Sequence, residues 1–75
     1  MNNSESTKFA IVCYKVAEKK WRIRIDGVQH PSEFTSEKDC RLWCGAMQEN
    51  GLYTGRHIFV ESQTGALTQV EPMYV

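Results

Sequence analysis

The stretch that most constrains this chain is residues 34–51, FTSEKDCRLWCGAMQENG. Cys40, Trp43, Cys44 and Met47 recur at i, i+3, i+4 and i+7, which is the apolar stripe of an amphipathic helix. The ends are signalled as clearly as the middle. Ser36 fits the N-cap, and Asp39 stands three residues on to close a capping box. Glu37 and Asp39 place negative charge over the exposed amides of the first turn. Glu37 also precedes Arg41 by four residues, the better orientation for a helical ion pair. Asn50-Gly51 is a stop signal, because glycine tolerates the left-handed conformation that closes a helix. Phe34, just before the cap, is expected to tuck under the first turn.

A helix with one apolar stripe must bury it against something, and the rest of the chain reads as strand. KFAIVCYKV, residues 8–16, is rich in β-branched and aromatic residues. WRIRID, residues 21–26, alternates apolar and polar. The AEKK between them predicts a hairpin. With an even loop, Val16 faces Trp21, Tyr14 faces Ile23 and Val12 faces Ile25, and these six form the core face. The opposite face then carries Phe9, Ile11, Cys13 and Lys15 beside Arg22, Arg24 and Asp26. An odd loop would exchange the faces of the first strand, since strand periodicity is two. Residues 27–32, GVQHPS, leave room for a short third strand over 28–30 at most. HIFVES (57–62) and ALTQV (66–70) form a second hairpin around Ser62-Gln63-Thr64-Gly65, a type I turn followed by a left-handed glycine. Ile58, Val60 and Val70 share one face of it, with Phe59 and Leu67 on the other. Pro72 ends the pairing. The expected fold is α+β: an antiparallel sheet of about four strands in the order β-β-α-β-β, with one helix packed on one face. Residues 1–7, MNNSEST, are polar and aperiodic and are expected to be a disordered start to a single domain over 8–75.

Size and charge narrow the function. A chain of 75 residues buries only about 60% of its unfolded surface, so the core is thin. Nine basic and nine acidic residues cancel, whereas domains that live on phosphate contacts usually carry a positive excess. Three cysteines cannot form a complete disulfide framework within one chain. No apolar run is long enough for a signal peptide or a membrane span. The expectation is a reduced, cytoplasmic protein with no membrane contact.

The residues that carry chemistry are few. Cys13, Cys40, Cys44, His30 and His57 invite a metal site, and Cys40 and Cys44 lie one helical turn apart. Tetrahedral zinc usually draws on tight Cys-x-x-Cys knuckles, which are absent, and cysteines on an apolar stripe behave as small hydrophobes. No metal or cofactor is expected. Cys44, His57 and Glu61 are the one nucleophile–base–acid trio that can be drawn. There is no glycine-rich phosphate loop, no H-E-x-x-H and no nucleophile elbow. No catalytic residues are assigned, and an enzyme is not expected.

The informative feature is the first strand, which is apolar on both faces. A half-open antiparallel sheet normally turns polar residues to water. Apolar residues beside arginine typify interface cores, so Phe9, Ile11, Lys15, Arg22 and Arg24 are the candidate partner-binding residues. Other occupants of this face are the N-terminal segment, the final EPMYV or a second copy in a homodimer.

Two resemblances bear on this. WRIRI followed by FTSEKDCRLW, over residues 21–43, resembles the AP2-like arm-type DNA-binding domains of phage integrases, in which three strands lie on DNA and the helix packs behind. That resemblance implies DNA contact by Arg22 and Arg24. Against the pattern, Pro31 breaks the third strand, net charge is zero, and a further hairpin follows the helix. The layout over residues 8–70, with its F-T-S-x-x-D helix start and IFVESQTGAL hairpin, resembles small ββαβ(β) proteins of phages and mobile elements, some of them anti-CRISPR proteins. It implies a binder that blocks a host protein. The expected function is thus a non-enzymatic module that binds a protein partner through its sheet face. The alternative is DNA binding through the same sheet.

Overall fold

The computed structural model describes residues 10–75. Its elements are β1 (Ile11–Ala17), β2 (Lys20–Ile25), β3 (Val28–Gln29), α1 (Glu37–Glu49), β4 (Ile58–Glu61) and β5 (Leu67–Val70). Among the described residues they form an α+β fold with one helix and a five-stranded mixed sheet of order β3-β2-β1-β4-β5. Phe9 and the polar segment 1–7 lie outside the described residues.

The sheet departs from the all-antiparallel expectation at its centre, where β1 and β4 run parallel. The helix is the reason. A strand that leaves the sheet through a helical crossover re-enters in its original direction, whereas a tight turn reverses it. α1 carries the chain across the sheet, so β4 returns beside β1 in parallel. The short third strand exists because Asp26-Gly27 is a two-residue hairpin turn with both φ angles positive, 55° and 84°, the signature of a type I′ turn.

The first hairpin decides which side chains become core. At the turn, Ala17 pairs with Lys20, which continues the register that sets Val16 against Trp21. One residue further the ladder shifts. A β-bulge between Lys15 and Ala17 leaves Val16 unpaired and places Lys15 opposite Trp21, Cys13 opposite Ile23 and Ile11 opposite Ile25. A single extra residue turns every side chain beyond it to the other face. The faces of β1 are therefore the reverse of those expected. Ile11 and Cys13 are fully buried in the core with Ile23, Ile25, Ile58, Cys40 and Cys44, and Val16 is half exposed at the bulge.

The helix forms much as its sequence dictates. Ser36 Oγ accepts from the Asp39 backbone N–H at 3.1 Å, and Glu37 bridges Arg41 at 3.4 Å. The capping box is not reciprocal: the Asp39 carboxylate accepts from Thr35 Oγ1 at 2.7 Å. At the other end Gly51 donates to Gln48 O and Leu52 to Met47 O, at 3.0 and 2.9 Å. With Gly51 at φ 81° this is a Schellman closure. Trp43 sits at the edge of the core among His30, Phe34 and Tyr53, with ring centroids 5.1, 6.0 and 6.0 Å away. Phe34 is held there by a two-way backbone bridge to Trp21.

The final residues pack on the helix rather than on the open sheet face. Met73 N–H donates to Arg41 O at 3.1 Å, and Arg41 Nε donates to Glu71 O at 2.9 Å. The contact explains a glycine in mid-helix: a Cβ on Gly45 would run into the Met73 carbonyl.

Candidate interaction face

The side of the sheet away from α1 is built from the residues that alternate with the core. Register places them in two rows across the strands. Gln29, Arg24, Val12, Phe59 and Gln69 form one. Arg22, Tyr14, Glu61 and Leu67 form the other. Val12, on the central strand, is 4% exposed although no described helix lies over it. Its neighbours across the ladder are Arg24 and Phe59, both half-buried.

Both arginines are held by other residues of the chain. Arg24 Nη2 lies 3.1 Å from Glu61 Oε2, and its guanidinium stacks over the Tyr14 ring at 4.6 Å. Arg22 reaches the carbonyl of His30 at 3.3 Å and Glu33 Oε2 at 3.5 Å. With the Gln29 amide oxygen turned toward it, Arg22 Nε and Nη2 each donate at 2.9 Å. These contacts leave the Arg22 and Arg24 side chains only 23% and 33% exposed.

The expected site residues thus separate. Arg22 and Arg24 lie on the open face. Ile11 does not: it is fully buried under the helix, because the Val16 bulge turns β1 over. Lys15 shares the phase of Ile11 but is exposed near the hairpin turn. Asp26 leaves the face at the β2–β3 turn, where Arg56 binds its carboxylate through two bonds of 2.8 and 2.7 Å and holds its pKa below the usual range. Val12 and Tyr14 take the places on this face expected for Ile11 and Cys13, with Phe59 and Glu61 beside them on β4. Phe59 and Leu67 stand on the side assigned to them from the second hairpin's turn, away from Ile58, Val60 and Val70.

The other constellations do not assemble into reactive sites. Cys13, Cys40 and Cys44 converge in the core, where thiol-to-thiol hydrogen bonding and burial push the Cys13 pKa up to about 12 and raise that of Cys44 as well. The nucleophile of cysteine chemistry is the thiolate, and this environment disfavours it. Among the described residues no group of three His, Cys, Asp or Glu side chains could hold a metal ion. Cys44 faces the sheet from the helix, Glu61 lies on the opposite sheet face, and His57 contacts Gln69 at 3.2 Å, so that trio does not meet. A cleft of about 350 Å³ lies between the tail and β4–β5, lined in part by Gln48, Arg56, His57, Gln69 and Tyr74. Its one guanidinium, Arg56, is committed to Asp26. No described helix is long and apolar enough to cross a membrane. Comparison with family models, with curated proteins and with solved structures gave no match.

Proposed function

We propose that this protein is a small non-enzymatic binding module whose open sheet face takes a protein partner. The observation that carries the reading is the patch of Tyr14, Arg24 and Phe59 around the nearly buried Val12. Aromatic and arginine side chains dominate the energetics of protein interfaces, and side chains already held in place lose less entropy on binding. The pairing of Arg24 with Glu61 and of Arg22 with Glu33 favours a protein over DNA. A carboxylate beside each guanidinium repels phosphate, and the chain has no net positive charge to offset it. The matching partner is a protein surface with an apolar ridge flanked by carboxylates that can share the arginines. The layout resemblance gives the proposal its specific form, a phage or mobile-element protein that binds and blocks a host protein.

The test compares wild type with Arg24→Glu for capture of a host protein and for binding of duplex DNA across a salt titration. Capture should fall more than tenfold in the variant and depend weakly on salt in wild type. DNA binding that falls log-linearly and steeply with salt, and is lost in Arg24→Glu, would overturn the reading in favour of the arm-type alternative.

A further inference from the structure

The two edges of the sheet are unlike. The β3 edge is two residues long and is followed by Pro31. Arg22 reaches the carbonyls of His30 and Pro31, and Phe34 then takes up the backbone groups of Trp21. Among the described residues the β5 edge is less protected. Leu67-Thr68-Gln69-Val70 contains no proline, no charge and no bulge, and among the described residues nothing pairs with its outer side. Monomeric proteins normally blunt such an edge.

The phase of the ladder fixes what the edge offers. Ser62 N–H donates to Ala66 O at 2.8 Å. Antiparallel pairs alternate between bonded and unbonded, so Thr68 and Val70 bond inward to Val60 and Ile58. Leu67 and Gln69 therefore turn their N–H and C=O groups outward. These two residues are placed symmetrically about Thr68.

From this symmetry we infer that β5 is a homodimerisation edge, pairing antiparallel with β5 of a second copy about a two-fold axis at Thr68. Leu67 then lies opposite Gln69 of the second copy, and the reverse, giving about four main-chain hydrogen bonds. Thr68 meets Thr68 of the second copy, a favourable cross-strand pair. The strand carries no charge to oppose self-pairing. The two sheets become one, with both helices on one side and both open faces on the other. A contact this small makes a weak dimer. The inference is independent of what the open face binds.

Sedimentation equilibrium of the full chain from about 10 μM to about 1 mM should show a monomer–dimer equilibrium. Thr68 is exposed, so Thr68→Lys and Thr68→Glu should both fold, as circular dichroism can verify. Each sets like charges opposite one another at the axis and should raise the dimer Kd more than tenfold. An equimolar mixture of the two should restore association, seen as a heterodimer by native mass spectrometry. Gln69→Pro, which removes an outward N–H while leaving the bonds to β4 intact, should also abolish the dimer. A monomer at all concentrations, a dimer indifferent to these variants, or a Lys/Glu mixture that stays monomeric would overturn the inference.

Discussion

Ile11 and Val12 are neighbours in the chain, and both are almost without exposed surface, yet they bury on opposite sides of the sheet. Hydrophobicity alone could not separate them. IVCYKV reads as apolar on either face, so the face of each residue depends on register. Register here turns on Val16. A β-branched residue inside a strand gives no local sign that it is a bulge, which is why Ile11 reads as an exposed contact and proves to be core. The residues that follow, Cys13 on the inside and Tyr14 on the outside, inherit the same reversal. Cys13 carries a prediction of its own. Its thiol, like that of Cys44, has a folded pKa raised above the unfolded value of 9.0. Below pH 9 both states are protonated and the stabilisation is fully present. Above it the unfolded chain releases protons first, and stability falls until the folded pKa of about 12 for Cys13. Each such thiol contributes a slope of up to about 1.4 kcal/mol per pH unit. Urea midpoints at pH 8 and 10 should diverge in wild type and diverge less in Cys13→Ala/Cys44→Ala. Equal divergence would show that the buried thiols are not the source of the alkaline loss.

At the scale of elements, legibility follows locality. The helix could be read from residues 34–51 because its cap, its i,i+4 ion pair, its apolar stripe and its glycine stop lie within that stretch. The second hairpin could be read for the same reason, from Ser62 to Gly65. The Asp26-Gly27 turn was a local signal too, and it announces β3 more firmly than the Pro31 that follows argues against it. The parallel contact of β1 with β4 had no local signal. It joins residues almost fifty positions apart, such as Ile11 and Ile58, and depends on the helix crossing between them. The tail is equally non-local: Met73 docks over Gly45, which in the sequence is only a weak point in a helix. Gly45→Ala would ordinarily stabilise an exposed helix interior by about 1 kcal/mol. Here it should lower the melting temperature, because the new methyl meets the Met73 carbonyl. In a chain ending at Pro72 the same substitution should become stabilising. If its sign is the same in both chains, the tail does not dock as described.

At the scale of the whole molecule, the fold spends its apolar residues on two surfaces of one sheet. Ile11, Cys13, Ile23, Ile25 and Ile58 meet the helix, and Val12, Tyr14 and Phe59 lie on the side the helix leaves open. Arg22 and Arg24 were legible as members of that side because WRIRI alternates without interruption. Their neighbours were not, since the bulge exchanged Ile11 and Cys13 for Val12 and Tyr14. We propose this open side as the working surface, and its charge layout can be tested directly. In the double variant Arg24→Glu/Glu61→Arg the ion pair is retained with its ends reversed. An exposed or half-exposed pair contributes no more than about 1 kcal/mol, so folding should be unchanged while the face presents the opposite pattern to its partner. The measurement is the affinity of wild type and of this variant for the same captured protein, beside their melting temperatures. If the open side is the working surface, melting should be equal within a few degrees, on the order of 1 kcal/mol or less, and affinity reduced more than tenfold. Equal melting with undiminished affinity would contradict that proposal.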